Sequence, residues 1–242
     1  MAGLTTGGPN VDVSLLYEVN GAARRAPSWL DTAVSLAGEY GILLALVLLV
    51  LWCWRGARRQ EEAPAVETVT ALVWAPLAAG LALLVNVPLR AFVGRQRPFR
   101  QHEGLQVLDP GWGAGLGNTE FSFVSGHTTV AMALGVGLFV ANRRLGLVGI
   151  GLALLEGLCR VYMGVHYPTD VVGGLALGTA VALVLAPLAL ALLSPVVRAV
   201  AARPRLGRLV RAGERVRPLP VGLAQPQTPP GGRGTQDSDL AA

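Results

Sequence analysis

Three polar clusters interrupt an otherwise apolar sequence: Arg90-x6-Arg97-Pro98, Ser125-Gly126-His127, and Arg160-x5-His166-x3-Asp170. Arginine keeps its charge at any working pH, and its planar fork suits phosphate oxygens. Three guanidinium groups at one site would hold a dianionic phosphate and offset the charge that develops in phosphoryl transfer. Ser125 and Gly126 precede a helix start, where unpaired backbone N–H groups and the helix dipole favour an anion. Glycine there lets the anion approach the main chain. Two of the chain's three histidines, His127 and His166, fall in these clusters and supply a nucleophile and an acid. Asp170, four residues after His166, can accept one ring N–H and fix the tautomer, which leaves the other nitrogen free to attack phosphorus. Each cluster alone has a plainer reading. Arg97-Pro98 is a helix-end loop, Ser125-Gly126 a helix cap, and Asp170 an N-terminal cap. Arg160 is harder to dismiss, because an ionisable group near the end of an apolar helix is expensive.

The elements that must bring these clusters together lie in a membrane. The 242 residues are 52% hydrophobic, 6% aromatic and 14% charged, against about 25% charged in an ordinary soluble domain. The expected fold is all-α, a polytopic transmembrane bundle of about five spans behind an amphipathic N-terminal helix. The spans run roughly Tyr40 to Trp54, Val69 to Val93, His127 to Ala141, Leu145 to Tyr162 and Val171 to Leu193; against the about 20 residues that cross a bilayer the first and third are short, and flanking residues are expected to extend them. The helix carrying Val13, Leu15, Leu16 and Val19 is expected either on the membrane surface or as a cap over the bundle. Residues 1–36 form this outer N-terminal segment, 37–197 the membrane domain, 198–217 a basic juxtamembrane segment and 218–242 a disordered cytoplasmic tail. The tail's Pro, Gly and Gln content carries that last expectation.

The net charge is +5, and every basic residue is Arg. Such a balance suits nucleic acid or anionic lipid, and the apolar runs decide for lipid. Arg55, Arg58 and Arg59, then Arg143 and Arg144, then Arg198 through Arg217 fall on one side of a five-span chain, which makes that side cytoplasmic. The three clusters then share the outer face. No cleaved signal peptide is expected at the N-terminus. Cys53 and Cys159 lie in apolar runs and indicate neither disulfide nor zinc. No cofactor is implied, and no metal, since no ligand-spaced cluster exists beyond the two histidines. Gly174 and Gly178 form a GxxxG that suggests close helix packing. His102, Glu103, Asp109 and Glu120 are expected to be solvated loop residues.

The clusters resemble the three signatures of the type 2 phosphatidic acid phosphatase superfamily, which includes lipid phosphatases and vanadium haloperoxidases. Those signatures are Lys-x6-Arg-Pro, Pro-Ser-Gly-His and Ser-Arg-x5-His-x3-Asp; this chain has Arg90, Val124 and Cys159 in place of the Lys, Pro and first Ser. Arg90 keeps the charge, Val124 loses a rigid turn, and Cys159 removes a hydrogen-bond donor. The match covers roughly Leu77 to Leu193. The resemblance implies that His166 forms a phosphohistidine, Asp170 orients it, and His127 protonates the leaving oxygen. It also implies that Arg90, Arg97, Arg160, Ser125 and Gly126 bind phosphate.

The stretch Ser35 to Trp54, with its Gly38-Glu39-Tyr40-Gly41, and Val87 to Phe99 are similar to the bacterial undecaprenyl-diphosphate phosphatase branch. That likeness implies a lipid diphosphate substrate at the outer face of the plasma membrane. A phosphatidate or phosphatidylglycerophosphate phosphatase would use the same residues. A soluble haloperoxidase would not need five apolar spans, and a non-enzymatic lipid-binding protein or channel would not need the His–Asp pair.

Overall fold

The computed structural model describes residues 10–108 and 121–211. The expected disordered tail, the last part of the basic segment, Asp109 and Glu120 lie outside these residues. Helix α1 (Val11–Ala23) is capped by Asn10, whose Oδ1 accepts from Asp12 N at 3.3 Å. Leu16 on α1 is fully buried with Val161, Tyr167 and Val171. Asn20 donates to the carbonyls of Gln106 and Tyr162 and accepts from Gln106 N. Of the two expectations for this helix, the structure builds the cap over the bundle.

After Pro27, helices α2 (Ser28–Leu36) and α3 (Ile42–Ala57) run on through a π turn at Ala37–Gly41 as one 30-residue apolar helix. The expected span from Tyr40 is therefore only its second half. Helix α4 (Glu62–Val93) is 32 residues long and stops at Gly94, which adopts φ 63° and donates to Arg90 O. A left-handed residue at this position closes the last turn, and glycine takes it without a Cβ clash. Short α5 (Pro98–Gln101) follows. Helix α6 (Gly126–Ala141) sits at the centre, packed against α4, α7 (Arg143–Tyr162) and α8 (Pro168–Val184).

The expected last span is broken. Helices α8 and α9 (Ala186–Ala201) meet at Leu185 with a bend of 51°. Pro187 has no N–H to continue the ladder and crowds the preceding turn. Among the described residues three helices are long and apolar enough to cross a membrane, or four with the bent pair as one span; α6 is apolar but 16 residues long. That is about 24 Å of helix, short of the roughly 30 Å hydrocarbon core. Many large apolar side chains face outward, among them Leu48, Trp52, Leu84, Phe92 and Leu192, as a lipid-contacting surface requires.

Small residues let α6 sit this deep. A Cβ on Gly174 would stand 2.8 Å from Ser125 O, and one on Gly178 would stand 2.5 Å from Thr129 O. The GxxxG therefore holds α8 against the start of α6. Trp74 Nε1 donates to Ala182 O at 3.0 Å and ties α4 to α8. At the opposite end of the bundle Trp54 Nε1 donates to Leu209 O, and Arg211 pairs with Glu62 at 2.9 Å. Short α10 (Gly207–Val210) packs there.

Candidate active site

The C-terminal ends of α4 and α7 and the N-terminal ends of α6 and α8 meet at one end of the bundle. Arg90 lies in the last turn of α4, buried, with Nη2 donating to Val124 O at 2.9 Å. Arg97 precedes α5 and is half-buried. Ser125 is the residue before α6, and its hydroxyl pairs with Thr128 Oγ1 at 2.9 Å; Gly126 opens the helix. The backbone Ser125 N–H donates to Asp170 O at 3.1 Å, which ties the α6 start to the α8 start. His127 sits in the first turn of α6, within electrostatic reach of Arg160, His166, Arg97 and Arg90. All eight residues expected from the sequence thus belong to one end of the fold.

His166 stands in the turn between α7 and α8 and is almost fully buried. Its Nδ1 lies 3.6 Å from Asp170 Oδ2. That is longer than a hydrogen bond, and Nδ1 has no hydrogen-bond partner among the described residues. The expected contact is present as an ion-pair distance because Asp170 has other partners. Its Oδ2 accepts from Tyr167 N at 2.9 Å, capping α8, and its Oδ1 accepts from Arg95 Nη1 at 3.0 Å. The plain reading of Asp170 as a cap and the functional one therefore coincide in one side chain. Burial lowers His166 to about 4 against the opposing pull of Asp170, so the imidazole is neutral at pH 7, the state a nucleophile needs.

Four residues with partners in this network were not singled out from the sequence. Arg95 bridges Asp170 to Asp12 of α1, at 2.5 Å to Asp12 Oδ2, and its guanidinium lies 3.6 Å above the Tyr167 ring. Asp12 also accepts from Thr169 N and Oγ1. Burial raises the Asp12 carboxyl, and the hydrogen bonds from Thr169 and Arg95 outweigh it, leaving Asp12 below the usual range. The N-terminal helix is thereby joined to the carboxylate beside His166. Arg160 donates from Nε to Glu156 Oε1 at 2.8 Å, from Nη1 to Glu39 Oε2 at 2.9 Å, and from Nη2 to Gly38 O. Glu156 and Glu39 carried a readable signal: each is a carboxylate inside an apolar helix. Glu156 is also at i−4 to Arg160. Asp12 and Arg95 carried none, being 83 residues apart.

Cys159 lies in the apolar core with Ile42 and Leu46, against Gly38 of the π turn, so it packs where the signature serine would donate. His102 is held edge-on between Tyr17 and Tyr167, and Glu103 lends its carbonyl to Tyr17. His102 thus braces α1, while Glu103 is exposed as expected and gives α1 only its carbonyl.

The model of the PAP2 superfamily matches residues 71–192, the stretch from the middle of α4 into α9 that builds the site. Undecaprenyl-diphosphatase BcrC of Bacillus subtilis is 29% identical over 149 residues, 61% of this chain and 69% of that protein. Decaprenylphosphoryl-5-phosphoribose phosphatase of Mycobacterium tuberculosis is 30% identical over 178 residues, 72% of this chain and 88% of that protein. The crystal structure of Aquifex aeolicus LpxE shares the fold with a TM-score of 0.50 at 23% identity, over 72% of this chain and 93% of that one. The chain belongs to the PAP2 superfamily and is a phosphoric-ester or diphosphate hydrolase.

Proposed function

We propose that the enzyme hydrolyses the terminal phosphate of a polyprenyl diphosphate, in the first place undecaprenyl diphosphate, through a phosphohistidine on His166. The observation that carries this is the convergence of Arg90, Arg97, Arg160, His127 and His166 at one end of an apolar bundle. The guanidinium groups and the α6 N-terminus hold the phosphoryl group. The free nitrogen of His166 forms the N–P bond as the P–O bond to the lipid phosphate breaks. The proton of His127 goes to the departing oxygen. Water then attacks the phosphohistidine, His127 takes up the proton of that water, and inorganic phosphate leaves. BcrC supports the diphosphate as substrate. The mycobacterial relative favours a second reading, a phosphate monoester on a polyprenyl-linked sugar.

A panel on the purified protein in excess EDTA separates these readings: polyprenyl diphosphate, polyprenyl-phosphoryl pentose phosphate, and phosphatidate. The expected outcome is fastest phosphate release from the diphosphate, undiminished by chelator and inhibited by vanadate, which mimics the transition state in the same arginine pocket. Preference for phosphatidate overturns the substrate class. Activity lost to EDTA and restored by Mg²⁺ overturns the metal-free mechanism.

We place the site on the outer face and the C-terminus in the cytoplasm. Arg58, Arg208 and Arg211 lie at the end joined by the Trp54–Leu209 and Arg211–Glu62 contacts, and short basic loops stay inside. In intact cells an impermeant maleimide is expected to leave a cysteine at Gly231 unlabelled. Labelling from outside would reverse the orientation.

A further inference from the structure

The mechanism above gives Glu39 no role, yet its carboxylate stands inside the site. The π turn of the first long helix carries it to the gap between α6 and α7. Its Oε2 accepts from Arg160 Nη1 at 2.9 Å, and its Oε1 lies 3.6 Å from His127 Nε2. Isolated π turns widen a helix locally and recur at functional sites. Here the turn aims two acceptors inward at once, the Glu39 carboxylate and the Gly38 carbonyl, both on Arg160.

Arg160 does not need Glu39 as its counterion. Glu156, fully buried, already meets Arg160 Nε at 2.8 Å from one helical turn away. What Glu39 adds is the contact with His127. That imidazole feels Arg160, His166, Arg97 and Arg90, and among the described residues its paired anion is Glu39. A general acid must carry its proton before the leaving bond breaks. Converging cations and exclusion of water disfavour a charged imidazole, and a carboxylate within 4–6 Å favours it.

We infer that Glu39 is a positioning residue for the leaving-group step, holding the His127 ring in place and offsetting the charge it carries as the acid. The inference rests on the reading of His127 as the acid. As the P–O bond breaks, its electron pair stays on the departing oxygen. One N–H proton of His127 passes to that oxygen and neutral imidazole remains.

The test compares a lipid phosphate monoester, whose leaving alkoxide needs a proton, with p-nitrophenyl phosphate, whose leaving group departs as an anion. Full-length wild type, Glu39→Gln, Glu39→Asp and His127→Ala are assayed in detergent. Glu39→Gln is expected to lower kcat for the lipid roughly 30-fold and for p-nitrophenyl phosphate by less than about threefold, a part of the 10²–10⁴ that acid catalysis contributes. Glu39→Asp, which keeps the charge, is expected to hold the ratio of the two rates near that of wild type. Equal loss on both substrates in Glu39→Gln, or the same skewed ratio in Glu39→Asp, overturns the inference and leaves Glu39 a structural anchor. The His127→Ala arm keeps the two ideas apart. If its loss does not depend on the leaving group, the acid assignment itself fails. If it does while Glu39→Gln is even-handed, only the role of Glu39 falls.

Discussion

His166→Ala is expected to abolish turnover, by on the order of 10⁴-fold or more, as removal of an enzyme's covalent nucleophile does. No acid-labile ³²P should be trapped on the variant from a labelled substrate. His127→Ala should behave differently. With a lipid phosphate monoester it is slowed severely, because the departing alkoxide oxygen needs a proton. With p-nitrophenyl phosphate it is slowed less and still takes up label. The pH profile of wild type carries a second sign of the same assignment. Burial holds His166 to about 4, so the neutral nucleophile is present at pH 7, and activity falls as the pH drops through about 4, where the imidazole becomes charged. Label that survives in His166→Ala and vanishes in His127→Ala would show the roles reversed.

Asp170→Asn is expected to cost at least about a hundredfold in kcat with little change in KM. The equivalent change in a serine protease triad costs about 10⁴ by leaving the histidine in the wrong tautomer. Asp170 is fully buried, 3.6 Å from His166 Nδ1 and 3.0 Å from Arg95. An amide of the same shape still reaches the Tyr167 N–H that caps α8, so the fold should survive and a kinetic defect can be read. It leaves Arg95 with one carboxylate partner, Asp12, and takes the counter-charge from His166. Circular dichroism and vanadate binding check that the variant is folded. A variant as active as wild type would remove Asp170 from the mechanism and leave it a helix cap.

The contrast between Asp170 and Arg95 shows how far the sequence reaches by itself. Asp170, His166 and Arg160 were legible because they lie within ten residues of one another across a helix end. Spacing along a helix converts directly into a shared face. Arg90, Arg97, Ser125, Gly126 and His127 were legible as motifs at the ends of apolar runs. The all-α membrane character followed from composition, since a backbone in lipid has to satisfy its own hydrogen bonds.

Only the tertiary structure decided the rest. It continued the first span back to Ser28, because a π turn depends on packing as well as on local apolarity. It joined Asp12 to Arg95 across 83 residues and placed Glu39 on Arg160 across 121. Neither contact leaves a periodic trace, since side chains distant in sequence meet by the way helices pack and not by their spacing. The sequence named the polar groups that meet at this end of the bundle. Which carboxylates hold those groups was settled by how the helices pack, a property of the assembled bundle.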